Sequence, residues 1–215
     1  FTDEMIRTLA DSPRFVPYID MPLQHINDEL LTKMKRRVTR NQIETLLQKL
    51  RNWIPGITLR TTFIAGSPGE TDAQHKELVQ FIRDFGFDML GVFPFSPEPG
   101  TAMGRMTDQV PDEIKKQRVE ELMLVQQEVA FKKARAMKGK TIDVLIDRPA
   151  GRDPEDGWVA RHTGQAPDID SITLVHGDEL HAGQMTPVKI TNSEGYDLVA
   201  ELPRQNSRPL VVLSR

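Results

Sequence analysis

Apolar runs that suit strands alternate with helix-like segments along the first hundred residues, and this alternation constrains the fold more than any other feature. The runs 15–21, 57–64 and 89–93 are short, rich in β-branched and aromatic residues, and end at loops containing Pro or Gly. Between them, 43–50 and 78–85 place apolar residues at helical spacing. Strands separated by helices pair in parallel, so the sequence predicts βαβ units. Because three strands cannot close a barrel, we expect the latter part of a larger one.

The character of the sequence changes after residue 138. A long charged helix is predicted over 112–138, and Gly139 is a suitable C-terminal stop for it. Five short strand-like segments with turns between them then predict a small antiparallel barrel. We therefore place a domain boundary at Lys138, which gives domains 1–138 and 139–215. The five predicted strands are 141–146, 158–161, 171–175, 185–191 and 196–201.

Charge is distributed unevenly along the chain. The 215 residues have a net charge of −3, but 139–202 holds twelve acidic and five basic residues, a net charge of −7. The tail is basic, with Arg204, Arg208 and Arg215. An acidic segment repels phosphate backbones and attracts basic protein surfaces. A merely soluble acidic surface explains the same composition equally well.

The chain contains no cysteine, which excludes disulfides and thiolate-held zinc or iron–sulfur sites from within it. No apolar run approaches the roughly 20 residues that cross a bilayer. The first residue is Phe1 and no signal peptide follows it, so we expect the chain to be a fragment.

Three loops of unusual composition follow the three predicted strands, at 21–28, 66–71 and 94–101. Ligands of parallel α/β sheets bind at the carboxyl ends of the strands, in loops of this kind. In the second loop Gly66 and Gly69 permit close backbone approach, and Glu70 lies near a helix that Thr71 is expected to cap. Such a loop could hold a polar small molecule. The alternative is a tight strand-to-helix turn in which Glu70 only stabilises the helix.

One face of the second strand carries Arg60, Thr62 and Ile64, because side chains alternate along a strand. An arginine that points into a barrel needs an anionic partner, such as a ligand carboxylate. The alternative is an internal ion pair with Asp20 or Glu70.

The three loops, taken in order, resemble one family. Residues 18–25, 63–71 and 95–101 resemble the latter radical-SAM strands of the methylthiotransferases, although Ser67 stands where that family usually has Phe. The long helix and the acidic β-barrel are similar to the family's C-terminal TRAM domain, and 160–170 with 196–198 look like its RimO branch. The resemblance implies an α/β fold: the latter part of a radical-SAM partial TIM barrel, followed by a small all-β, OB-like TRAM barrel.

The function that this resemblance implies is methylthiolation of an aspartate on a small-subunit ribosomal protein. The family uses S-adenosylmethionine and two 4Fe–4S clusters, one of which cleaves the cofactor to the radical that abstracts hydrogen. That cluster is held by a CxxxCxxC motif, and the other cluster supplies sulfur. All of these cysteines would precede Phe1, in a missing N-terminal half of the enzyme. The chain alone is therefore expected to be inactive, and the enzyme to be cytoplasmic.

The resemblance also assigns residues to the cofactor cleft. Arg60 would pair with the methionine carboxylate and Phe95 would pack on the adenine. No catalytic residue and no metal ligand is assigned within this chain. The residues that match the cleft are Gln24, Arg60, Thr62, Gly66, Glu70, Phe95 and Ser96.

Three rival functions remain open. A tRNA-modifying member of the same family would need a basic barrel, so the acidic one favours a basic ribosomal protein that docks on the TRAM domain. A non-catalytic partner-binding module is a second possibility. The third is a TIM-barrel hydrolase that uses Asp20, His25 and Glu70 with a metal ion. No membrane partner is expected.

Overall fold

The computed structural model describes residues 1–203, with the side chain of Pro154 excepted. The basic tail predicted from Arg204, Arg208 and Arg215 lies outside the described residues. The chain divides into two compact units, 1–133 and the residues from Ala134 onwards. No helix of the described part is long and apolar enough to cross a membrane.

The first unit is a three-stranded parallel sheet flanked by helices. The strand order is β1-β2-β3, which confirms the predicted parallel sheet. A long helix, α5, begins in this unit and ends beyond it. The elements are α1 (Asp3–Asp11), β1 (Tyr18–Asp20), α2 (Asp28–Lys33), α3 (Arg40–Trp53), β2 (Thr58–Ala65), α4 (Asp72–Phe85), β3 (Met89–Pro94), a 3₁₀ turn (Met103–Arg105) and α5 (Asp112–Ala136).

Two elements differ from the sequence prediction. β1 covers only three residues, because Pro17 and Pro22 on either side lack the N–H that a strand ladder requires. The predicted polar loop after it contains the short helix α2. Its N-cap is Asn27, whose side chain accepts hydrogen bonds from two backbone N–H groups, and it buries Leu30 and Leu31.

The packing of β2 against α4 sets the core of this unit. Thr71 caps α4 as predicted and forms a capping box with Gln74. On β2 the residues alternate between buried and half-buried. The fully buried Phe63 lies edge-on to the rings of Phe81 and Phe87, with centroids 6.4 and 5.9 Å away.

The second unit is a closed barrel of five strands, ordered β4-β5-β6-β8-β7. Four of its pairings are antiparallel, but β6 pairs with β8 in parallel, so the prediction of a wholly antiparallel barrel is wrong. β7 pairs with β4, and β8 then lies between β7 and β6. This strand order is the OB-like arrangement. The strands are β4 (Thr141–Pro149), β5 (Trp158–Arg161), β6 (Thr173–His176), β7 (Met185–Glu194) and β8 (Asp197–Glu201), with a 3₁₀ turn at Pro154–Asp156.

The two faces of the sheet give a test of this packing. We expect Phe63→Ala to lower the free energy of unfolding by about 3 to 5 kcal/mol, because it empties a fully buried site. The matched control Phe93→Ala should change it by less than about 0.5 kcal/mol, since Phe93 is 60% exposed. Urea unfolding followed by Trp53 fluorescence, in a Trp158→Phe background, measures both. Equal losses would contradict the assignment of the faces.

Candidate functional site

One face of the sheet in the first unit is left open. Arg60, Thr62 and Ile64 are half-buried on β2, whereas the residues between them are buried. Across β3 the open face continues with Gly91 beside Thr62 and the exposed Phe93 beside Ile64. The residues that sequence alternation predicted for one face therefore share the accessible side of the sheet.

Arg60 forms an ion pair across the first two strands. Its Nη1 lies 3.1 Å from Asp20 Oδ2, and the two side chains are 24% and 43% exposed. The internal pair that was the alternative to a ligand contact is thus present. Because both groups reach solvent, the pair contributes little stability, and a ligand carboxylate can replace Asp20 as the partner at small cost.

Gln24 holds the first loop against the end of β2. Its N–H donates to Thr62 O over 2.9 Å, and its carbonyl accepts from Ile64 N–H over 2.9 Å. Its backbone is left-handed, with φ of +73°. The side-chain Oε1 is buried, with no hydrogen-bond partner among residues 1–203. A buried acceptor of this kind is costly unless a water or ligand donor satisfies it.

The second loop is organised around the buried carboxylate of Glu70. Glu70 Oε2 accepts hydrogen bonds from Gly66 N–H over 2.8 Å and Ser67 N–H over 3.0 Å. Its other oxygen lies 3.1 Å from Arg118 Nη1, and its side chain is fully buried. Burial raises the pKa of Glu70, while the bond from Ser67 and the charge of Arg118 oppose the rise. The two amides therefore point at Glu70 and are already satisfied by its carboxylate.

Two charged residues of α5 complete this loop, and the sequence analysis missed both. Arg118 binds Glu70, and the stem of Lys115 packs on the Cα of Gly66, where a Cβ would collide with it. Both are only 6% exposed. Helical spacing in the sequence could have predicted that Lys115 and Arg118 are buried. Positions 115, 118, 122 and 125 share one side of the helix, and the last two are Leu122 and Val125.

The third loop lies next to the second. Phe95 is half-buried, and its N–H donates to Ala65 O at the end of β2 over 2.8 Å. Lys115 Nζ lies 5.9 Å from the centre of the Phe95 ring. Ser96 is exposed. The ring of Phe93 is more accessible than that of Phe95, so it is a second aromatic candidate for contact with a planar ligand.

His25 is completely buried and does not join a metal site. Its Nδ1 accepts from Asn27 N–H over 3.0 Å, which places the ring proton on Nε2. Within residues 1–203, no group of three or more His, Asp or Glu side chains could hold a metal ion. The arrangement that a hydrolase with Asp20, His25 and Glu70 would need is therefore not formed by these side chains.

A groove of about 630 Å³ lies at the outer edge of the sheet. It is lined by residues of α1 together with Phe15, Ile19 and Asp20. β1 is an edge strand of the described sheet, so the groove lies beside an unpaired strand edge.

Comparison with known families defines the class of protein. The Radical SAM superfamily model matches residues 1–82, and the TRAM domain model matches residues 139–202. A structure of coproporphyrinogen III oxidase (HemN) from Escherichia coli, a radical SAM enzyme, matches at a TM-score of 0.46 and 18% identity, over 55% of this chain and 28% of that chain.

Three similar proteins are all methylthiotransferases of ribosomal protein uS12. Ribosomal protein uS12 methylthiotransferase RimO of Desulfitobacterium hafniense is 41% identical over 94% of this chain and 45% of its own length. The RimO proteins of Anaeromyxobacter sp. (strain Fw109-5) and Trichlorobacter lovleyi are 42% and 43% identical, over 97% and 94% of this chain. Over nearly its whole length the chain is similar to these RimO-type methylthiotransferases, and it spans about 45% of the length of these relatives.

The burial of His25 gives a pH prediction. Burial lowers the pKa of His25 to about 4, from 6.5, and the charges of His75 and Arg118 act in the same direction. The unfolded chain therefore binds more protons between these pH values, so stability is present above pH 6.5 and is lost as pH falls toward 4. The loss from this residue is about 3 kcal/mol between pH 7 and pH 4. His25→Gln should remove that part of the pH dependence in urea unfolding; an unchanged dependence would contradict it.

Proposed function

We propose that this chain supplies the cofactor-facing half-sheet and the substrate-docking barrel of a methylthiotransferase that modifies an aspartate of ribosomal protein uS12. The substrate is supported by its relatives, which are ribosomal protein uS12 methylthiotransferases. The observation that carries the proposal is the open face of the sheet, which brings Arg60, Thr62 and Phe93 beside the loop ends at Gln24 and Phe95.

The residues on this face fit S-adenosylmethionine. The Arg60 guanidinium can exchange Asp20 for the cofactor carboxylate, and the orphaned Gln24 Oε1 can accept from an ammonium group. Phe95, or the more exposed Phe93, offers a ring face to the adenine. Thr62 and Ser96 add hydroxyl groups, while Gly66 and Glu70 shape the loop. When bound, the cofactor supplies the methyl group and the radical chemistry of the reaction.

The 4Fe–4S clusters do not fit this chain, because it has no cysteine to ligate them. We place the ligands of both clusters in a preceding segment, consistent with a match to about 45% of each relative. The described residues thus bind and orient the cofactor, and the chain alone is inactive. We propose the domain boundary at Lys138. From the proposed ribosomal substrate we also infer a cytoplasmic location.

The docking of a basic protein on the barrel is supported by where its charges lie. β4 and β6 both run antiparallel to β5, so the loops that follow them emerge at the same end of the barrel. A Cβ at Gly157, which ends the first loop, would lie 3.0 Å from His176 Nδ1, where the second begins. These two loops hold five exposed carboxylates and one arginine: Asp153, Glu155, Asp156, Asp178 and Glu179, with Arg152.

An acidic end of this kind disfavours the tRNA alternative, since RNA affinity depends on neutralising phosphates. A non-catalytic binding module would use the same acidic end but would not need the open face of the sheet. Cofactor binding by the first unit therefore separates that alternative from the enzyme.

The cofactor assignment predicts that Arg60→Met weakens S-adenosylmethionine binding about ten- to a hundredfold, the value of one charged hydrogen bond to a carboxylate. Isothermal titration with the cluster-binding segment present measures this. Arg40→Met is the matched control, because Arg40 pairs with Glu44 and Glu77 on the helical side of the sheet. Equal affinities of the Arg60 and Arg40 variants would refute the assignment.

The docking assignment predicts that Asp153→Asn with Asp178→Asn weakens binding of uS12 severalfold and flattens its salt dependence, because two charges at the acidic end are lost. The control is Asp143→Asn with Asp168→Asn, which removes the same charge elsewhere on the barrel. Binding is measured at two salt concentrations. Identical losses in the two double variants would show that net charge, not this end of the barrel, governs binding.

A further inference from the structure

The buried pair of Glu70 and Arg118 joins α5 to the second loop. Arg118 Nη1 donates to Glu70 Oε1 over 3.1 Å and to Glu70 O over 3.0 Å, and Nη2 donates to Asp72 Oδ1 over 2.8 Å. The Arg118 side chain is 7% exposed and that of Glu70 is fully buried. Asp72 is 87% exposed, so water can replace that contact. The arginine therefore acts mainly on Glu70.

Glu70 in turn accepts hydrogen bonds from the loop backbone. Its second oxygen holds the N–H groups of Gly66 and Ser67, over 2.8 and 3.0 Å. An ionised carboxylate is a stronger acceptor than a protonated one, and burial favours the protonated form. The nearby guanidinium offsets that effect and keeps the acceptor in place. A chain of hydrogen bonds thus runs from α5 through Glu70 to two amides of the loop.

Lys115, one helical turn earlier, reinforces the same loop. Its stem covers the Cα of Gly66, and its ammonium group bonds Asp112 Oδ1 over 2.9 Å, near the ring of Phe95. Residues of α5 therefore contact two of the loops that we assign to the cofactor. They do so from the buried side, because Lys115 and Arg118 are each 6% exposed.

We propose that Arg118 is a positioning residue, which fixes the shape of the 66–71 loop through Glu70 and so prepares it for the cofactor. The second half of this statement rests on the proposed function; the first does not. Arg118 acts without touching the ligand. Its loss should free the Gly66 and Ser67 amides locally and only thereby weaken cofactor binding.

Amide hydrogen exchange followed by NMR on the 215-residue chain tests the first half. In Arg118→Met, the Gly66 and Ser67 amides should exchange about tenfold faster relative to the amides within β2, with an intermediate effect in Arg118→Lys. Asp72→Asn, which removes the exposed partner, should leave this ratio unchanged. So should Arg51→Met, which removes a half-buried arginine that bonds Phe85 O and Gly86 O.

Faster exchange at every amide in Arg118→Met, as in Arg51→Met, would overturn the proposal, because it indicates only global destabilisation. An unchanged ratio would also overturn it. If Arg118→Met does not fold, Arg118→Lys and Glu70→Gln decide, since each keeps the side-chain size and weakens the same bond. Local acceleration in both supports the positioning role, and its absence in both removes it.

Titration of the cluster-containing protein with S-adenosylmethionine tests the second half. Arg118→Lys should raise the dissociation constant about fivefold or more, and Asp72→Asn should not. A wild-type protein that binds no cofactor overturns the proposed function and this second half, while the exchange ratios still decide the first. Normal affinity in Arg118→Lys with a loosened loop would show that the loop shape does not serve the cofactor.

Discussion

The buried carboxylate of Glu70 is the group on which the shape of the 66–71 loop depends. An isolated ionised carboxylate in this position would be very costly, and here two backbone amides and one guanidinium stabilise it. Because those partners come from the β2–α4 loop and from α5, the same bonds that make burial tolerable also fix the loop. The shape of this loop and the packing of α5 against it are therefore stabilised by the same hydrogen bonds.

The sheet is packed against helices on one face only, and the 66–71 loop lies at the end of its central strand. Phe63 and its aromatic neighbours fill the face that helices cover, whereas Arg60 and Thr62 stay half-buried on the other. The Arg60–Asp20 pair is held in an accessible place where its desolvation is small, so exchange of one carboxylate for another is inexpensive. Stability thus comes from the helical side, which leaves the open side available for a ligand.

Local patterns in the sequence were sufficient for most elements, and long-range pairing was not. Alternation along β2 correctly predicted the shared face of Arg60 and Thr62, and the Thr71 cap follows from short-range chemistry. Arg118 lies 48 residues beyond its partner Glu70, and nothing in a helical period connects them. The parallel pairing of β6 with β8 was missed for the same reason, because a strand pattern carries no information about which neighbour it will have.

In the barrel, the fold determines where the acidic residues lie, which the composition alone does not reveal. The sequence gives only a net charge of −7 for residues 139–202, which a uniformly soluble surface would also explain. Strand direction brings the loops after β4 and β6 together, and the close approach of Gly157 to His176 joins them. Five exposed carboxylates then share one end. Potentials of neighbouring charges add there, because salt screens them only over about 8 Å. The electrostatic interaction with that end is most favourable for a basic protein segment and most unfavourable for a phosphate backbone.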